Sequence, residues 1–280
     1  MGFGWVPAVV VHIRTQTGAC PPYGAPLNIG CDLSTRQPNL IPLPEATMAE
    51  WVRPLTVEFI GTFALIFMGA GSICVGGTLV SVGFAHGLAV GLMVAAGGHI
   101  SGGAYNPAVT LGLVVGQKLS PLKGLAYVLV QLVGATVAAA CLYALLPAEL
   151  RDPSSLGTPS IAPGISSMRA MGIEIVLTFF LMYVIYGVAV DKRGPAMIAP
   201  LAIGLTITMD IFAMGPATGA AMNPARFLGP AIISNHYDNE WVYWVGPGIG
   251  AVLAAFVYAY ILIPPYQEPP PVEPDRLAQP

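Results

Sequence analysis

Asn-Pro-Ala occurs twice in the chain, at Asn106-Pro107-Ala108 and Asn223-Pro224-Ala225, each time after a run of glycine and other small residues inside otherwise apolar sequence. An asparagine amide can accept hydrogen bonds from the orphan N–H groups of a helix start and still offer its own N–H donors, and a proline at the first helical position is preorganised for that start. Each triplet therefore predicts the positive end of a short helix that begins inside a membrane, where it would hold oxygen atoms and repel cations. One copy would read equally well as a plain helix cap, whereas two copies in inverted register point to a shared lumen. Arg226 follows the second triplet directly. It is the one Lys or Arg placed at intramembrane depth, and a residue so expensive there marks function.

The elements that must position these groups are legible in the hydropathy. Of 280 residues, 55% are apolar and 9% charged, against roughly 25% charged in a soluble domain, and the mean hydropathy is +0.71. Six apolar stretches, at 51–75, 80–98, 121–146, 169–190, 195–214 and 240–264, can each cross about 30 Å of hydrocarbon. Two further runs, 106–116 and 223–233, are too short to cross and read as half-helices entered through the loops Gly97 to Gly103 and Gly215 to Gly219. Irregular backbone at that depth is tolerated only inside protein or beside a wet cavity. The expected architecture is an all-α membrane protein with six transmembrane helices and two half-helices.

The two halves repeat. Glu58-Phe59-Ile60-Gly61-Thr62 is matched by Glu174-Ile175-Val176-Leu177-Thr178, and the spacing from Glu58 to Glu174 is within one residue of that from Asn106 to Asn223. Three crossings per repeat force opposite orientations, so repeat one (51–146) and repeat two (169–264) send their half-helices in from opposite faces. Arg53, Lys118, Lys123, Lys192 and Arg193 fall on one side; Arg151 and Arg169 lie among Glu149, Asp152, Asp238 and Glu240 on the other. That bias places both termini in the cytoplasm.

Residues 1–47 and 265–280 are rich in proline and lack an apolar period, so disordered tails are expected around a channel domain at 48–264. No signal-peptide pattern is evident, and because Met48-Ala49-Glu50-Trp51 opens the first span cleanly, the leading tail is expected to be dispensable or a product of start-codon choice. The intact mass of the natively expressed protein tests that expectation. Cys20, Cys31, Cys74 and Cys141 form no disulfide framework. A net charge of −3 with dispersed basic residues gives no footing for nucleic acid. With no nucleophile–base pair and no metal-ligand cluster in view, neither an enzyme, a cofactor nor a metal is expected.

Together, the two boxes, the flanks His99-Ile100-Ser101-Gly102-Gly103 and Met222-Asn223-Pro224-Ala225-Arg226, the paired glutamates and Gly229-Pro230-Ala231 resemble the major intrinsic protein family, the aquaporins, from about Trp51 to Ile263. The resemblance implies a homotetramer in the lipid bilayer with one pore per subunit, and a constriction near the outer mouth formed by His86, Ile211, Ala220 and Arg226. Strictly water-selective members carry Phe first and His second in that set. His86 with Ile211 instead resembles plant tonoplast aquaporins and the animal branch permeable to ammonia and peroxide, as does the stretch Met209 to Pro216. The implied function is a passive channel for water and small neutral solutes such as hydrogen peroxide or ammonia that excludes protons and ions. The alternatives are a strictly water-selective channel and, further off, a glycerol facilitator, which would place an Asp where Phe227 stands. A plasma membrane is expected rather than an internal one. With Ala220 where a filter cysteine could stand, mercurials should block weakly.

Glu58 and Glu174 are expected to act as structural supports that accept loop N–H groups. Asp210 is left open between capping loop amides and tuning peroxide entry. His99 reads as a structural histidine rather than a pH gate, Trp241, Tyr243 and Trp244 as an interfacial aromatic belt, and Gly61, Gly87, Gly91, Gly134, Gly187 and Gly204 as sites of close helix crossing. A coupled transporter would need ion sites that the candidate lining residues do not provide, and a junction protein would raise permeability to nothing.

Overall fold

A computed structural model describes residues 45–262. The expected tails lie outside the described residues, except that Glu45 already opens a helix, so helical structure starts ahead of the expected boundary at 48. Six helices among the described residues are long and apolar enough to cross a membrane: α1 (Glu50–Cys74), α2 (Leu79–Ser101), α4 (Pro121–Leu145), α5 (Ser167–Val190), α6 (Ala196–Thr218) and α8 (Val242–Leu262). Between them sit the half-helices α3 (Pro107–Val115) and α7 (Pro224–Ser234).

The spans are apolar all round, with only 33% to 50% of each buried against the rest of the chain. Helices of that kind belong in hydrocarbon. Large side chains such as Leu92, Leu122, Val176 and Phe180 face outward, while alanines such as Ala135, Ala138, Ala251 and Ala254 fill the interior. Small residues let the backbones close together. A Cβ at Gly134 would stand 2.7 Å from the Phe59 carbonyl oxygen, and one at Gly204 2.5 Å from that of Gly87. Two of the glycines read as crossing points differ: Gly187 has the tip of Tyr258 as its nearest neighbour, at 3.3 Å, and Gly61 makes room for the Tyr105 ring of the first loop and not for another helix.

Packing shows the inverted repeat. α1 lies on α4 as α5 lies on α8, and each half-helix rests on the last span of the opposite repeat, α3 on α8 and α7 on α4. Neither half-helix completes its surroundings within its own half.

Two helices run further than their sequence suggests. α2 continues through Gly97-Gly98 to Ser101, and α6 through Gly215-Pro216 to Thr218. Gly97 is a contact and not a break, because a Cβ there would lie 2.5 Å from Val57 Cγ1 and 3.0 Å from the Tyr105 hydroxyl. Both helices end at a left-handed glycine, Gly102 (φ 95°) and Gly219 (φ 81°), whose N–H groups bond back to the carbonyls of Gly98 and Gly215.

Candidate functional site

Each half-helix starts as its sequence dictates. Asn106 Oδ1 accepts from the N–H groups of Ala108 (2.8 Å) and Val109 (3.4 Å), and Asn223 Oδ1 from those of Ala225 (2.9 Å) and Arg226 (3.3 Å). Pro107 and Pro224 occupy the first helical positions, where no N–H is needed. The amide nitrogens then cross between the halves. Asn106 Nδ2 donates to the Met222 carbonyl at 2.8 Å, and Asn223 Nδ2 donates to the Tyr105 carbonyl at 3.0 Å. The two positive helix ends therefore meet, and each amide keeps a second N–H for the cavity that both asparagines line.

The loops are held by the two buried glutamates. Glu58 accepts from Ser101 Oγ (2.6 Å) and the Ala104 N–H (3.1 Å) on Oε1, and from the Tyr105 N–H (2.7 Å) and Gln131 Nε2 (2.8 Å) on Oε2. Glu174 accepts from Thr218 Oγ1 (2.7 Å) and the Ala221 N–H (3.0 Å) on one oxygen and from the Met222 N–H (2.8 Å) on the other. A carboxylate at zero exposure that meets three or four donors is satisfied where it stands. Gln131 escaped the sequence reading, as did the tyrosines that bind the loop carbonyls: Tyr127 to Ser101 O at 2.8 Å and Tyr243 to Thr218 O at 2.9 Å. Their only sequence signal is a polar group recurring in the third span of each repeat. Tyr243 is thereby corrected from the aromatic belt to the core, stacked on Phe227 at 4.5 Å, while Trp241 stays exposed.

His86, Ile211, Ala220 and Arg226 come together on one cavity with Asn106 and Asn223, and all four are nearly fully buried. Arg226 Nε donates to His86 Nε2 at 2.9 Å, while His86 Nδ1 lies 2.9 Å from the Val82 carbonyl. Since guanidinium only donates and a carbonyl only accepts, the bonding assigns the imidazole proton to Nδ1 and leaves the ring neutral. Arg226 Nη1 is buried without a protein partner. The ring is also shaped from behind: a Cβ at Gly69, on a π-helical stretch of α1 (Leu65–Ala70), would meet it at 2.5 Å. The remaining wall is apolar, with Leu65, Val90, Val109, Leu181, Ile185, Ile203 and Ile207.

The other singled-out residues lie elsewhere. Asp210 sits on the face of α6 turned to α5, beside an outer groove and not the central cavity, and makes no bond to loop amides. His99 is exposed near Arg53 and Lys123. Cys74 is buried, Cys141 is partly so, and Cys20 and Cys31 lie outside the described residues.

Comparison with known proteins agrees with this geometry. Residues 45–258 match the family model described as Major intrinsic protein. Probable aquaporin TIP3-2 of Arabidopsis thaliana is 41% identical over 244 residues, covering 81% of this chain and 90% of the relative. Aquaporin TIP1-2 of Zea mays is 40% identical over 241 residues, covering 81% and 93%. Among solved structures, the aquaglyceroporin from Plasmodium falciparum superimposes with a TM-score of 0.68 at 29% identity, covering 76% of this chain and 97% of that one. Two capped half-helices meeting inside six spans, together with relatives matched along most of their length, show that the chain belongs to the major intrinsic protein family, the aquaporins.

Proposed function

We propose that this chain is a passive channel for water and for small neutral solutes of the size of ammonia or hydrogen peroxide, closed to protons and ions. The observation that carries the reading is the pair of crossed bonds, Asn106 to Met222 and Asn223 to Tyr105, which fixes two positive helix ends and two free amide N–H donors on one cavity. A water between them must turn its oxygen to both amides and cannot pass a proton on, while a cation meets about half a positive charge from each helix. His86, Ile211, Ala220 and Arg226 act in this reading as the constriction. The tether from Arg226 Nε to His86 fixes the guanidinium, and its unpartnered Nη1 serves passing oxygen atoms. Glu58 and Glu174 act as loop supports.

The aperture supports solutes beyond water, because Ile211 and Ala220 offer no donor and little bulk opposite the His86 and Arg226 pair. A glycerol facilitator is disfavoured by the same histidine, since the polar ring faces where a carbon chain would lie. Assembly as a homotetramer and cytoplasmic placement of both termini rest on family likeness and on the charge bias of the loops. The TIP-type relatives lend no support to the expected plasma membrane. An internal membrane is the location their likeness favours.

Stopped-flow light scattering on proteoliposomes, with fluorescent readouts for ammonia and peroxide, tests this reading. Water should move fast with a low activation energy, and ammonia or peroxide flux should fall in His86→Phe/Ile211→His while water persists. If only water moves in both proteins, the broader solute class is wrong; saturable, gradient-coupled flux would indicate a transporter instead. His86→Ala should raise glycerol or urea flux, and unchanged flux would remove His86 from the constriction.

A further inference from the structure

Gly69 is buried behind His86, on the π-helical stretch of α1. Leu65 and His86 line the central cavity and Gly69 does not, so the imidazole stands between this glycine and the lumen. A Cβ at Gly69 would lie 2.5 Å from His86 Cδ2, 2.6 Å from Nε2 and 2.7 Å from Cγ, along one whole edge of the ring. Carbon atoms in ordinary contact stay about 3.5–4.0 Å apart, so a methyl group there requires one partner to withdraw by about 1 Å. The helix cannot be that partner. Its π stretch is packed by α2, α4 and α7; Ala70 is fully buried under Gly157, whose Cβ would stand 2.9 Å from the Ala70 carbonyl oxygen, and Leu142 comes within 3.1 Å of a Cβ at Gly71.

The ring is tied through both nitrogens, Nδ1 to the Val82 carbonyl and Nε2 to Arg226 Nε, each at 2.9 Å. The direction left to it is the cavity. The second repeat supplies an internal contrast, because Gly69 corresponds there to Ile185 and His86 to Ile203, and both isoleucines line the cavity. At that mouth two branched side chains share the wall that at the other one ring covers alone, over a place left empty by glycine. In an interior packed this closely a single methyl group is felt, and π-helical segments recur where function demands an irregular helix. Resting on the reading of His86 as part of the constriction, the geometry points to Gly69 as the positioning residue that sets its aperture. By lacking a side chain, Gly69 lets the imidazole stand back from the lumen and so admits solutes bulkier than water, such as hydrogen peroxide.

The test follows water and hydrogen peroxide flux in proteoliposomes for four full-length proteins: wild type, Gly69→Ala, His86→Ala and Gly69→Ala/His86→Ala. Gly69→Ala should lower peroxide flux about tenfold, the effect of 1.4 kcal/mol on a barrier, and water flux less, so that the peroxide-to-water ratio falls. Loss of folded protein alone would scale both fluxes equally. In the double variant the methyl group has no ring to push, and both fluxes should match those of His86→Ala within about twofold, the non-additivity expected of residues in contact. Assembly of the double variant where Gly69→Ala alone does not assemble would also support the proposal. An unchanged ratio in Gly69→Ala overturns it, as do equal falls with and without His86. Failure of both alanine variants to assemble overturns it too, because the methyl group would then strain the helix packing and not the ring. If the wild type passes water alone, the broader solute reading fails by itself; the proposal is then judged on water, which Gly69→Ala should slow only where His86 is present.

Discussion

The two half-helix loops are one design executed twice, 117 positions apart, with Ser101, Ala104 and Tyr105 answered by Thr218, Ala221 and Met222 around their glutamates. They differ at few points. The first loop has Gln131 as a further donor to its carboxylate; the corresponding place in the second repeat is Pro247, since Tyr127 matches Tyr243 and Gly134 matches Gly250. After the first box comes Val109, after the second Arg226, and the counterpart of His86 is Ile203. All four side chains line the same cavity. Scaffold and selectivity are thus separable: shared positions hold the helix ends together, and the positions that diverge make one mouth cationic and hydrogen-bonding and the other apolar.

The largest effect that can break this comparison lies in the glutamates. A glutamine at 58 turns an NH₂ toward two donors whichever way it lies, but at 174 it can face the single donor on Oε2. At about 1–3 kcal/mol per orphaned donor, Glu58→Gln should lower thermal stability in detergent roughly twice as much as Glu174→Gln. Equal losses would show that Gln131 adds nothing. Next in size, Arg226→Val gives the outer mouth the side chain of the inner one. Proton or cation leak, followed with a pH dye, should rise about tenfold, equivalent to 1.4 kcal/mol off the barrier. No rise would leave the exclusion entirely to the helix ends.

A smaller effect concerns backbone. Ala220 adopts φ 43°, a left-handed conformation that the first loop gives to Gly103 at φ 67°. Ala220→Gly should gain about 0.5–1 kcal/mol net of glycine's extra freedom in the unfolded chain, read as a higher melting temperature; a drop would mean that the methyl group packs more usefully than its strain costs. The smallest concerns the connections between first and second spans. Repeat one uses Val75-Gly76-Gly77-Thr78, whereas repeat two uses a charged turn in which Arg193 Nη2 bonds Asp191 Oδ2 at 2.6 Å and the Leu262 carbonyl at 3.1 Å. Arg193 lowers the Asp191 carboxyl to about 2. A depressed carboxylate contributes above its ordinary range and loses that contribution as pH falls toward the depressed value. Melting curves of wild type and Asp191→Asn should therefore differ at pH 5–8 and converge near pH 2.

Much of the fold was legible because hydropathy and the two boxes act locally. The six spans and the half-helix caps follow from residue type and spacing, whereas the set His86, Ile211, Ala220 and Arg226 comes from the family resemblance. What stayed hidden depends on tertiary contact. Gly97-Gly98 and Gly215-Pro216 look like interruptions until Val57 and Tyr105 are seen pressed against Gly97. Gln131 resembles any polar residue in a span until Glu58 is placed beside it, and Tyr243 reads as interfacial until its hydroxyl finds Thr218. Asp210, next in sequence to a lining residue, faces the other way because adjacent helical positions do not share a face.

The crossed asparagine bonds also set a timetable. Met222, which receives the Asn106 amide, is made 116 residues after it, a delay on the order of ten seconds at ribosomal speed. Throughout that interval the first box has no partner, and the loop around it must keep its shape on contacts already synthesised: Glu58, Ser101, Tyr127 and Gln131 all emerge before the first repeat ends. The second loop arrives to find a finished template. An order of assembly is thus written into which half holds the spare donor, and the half born first is the one that can wait.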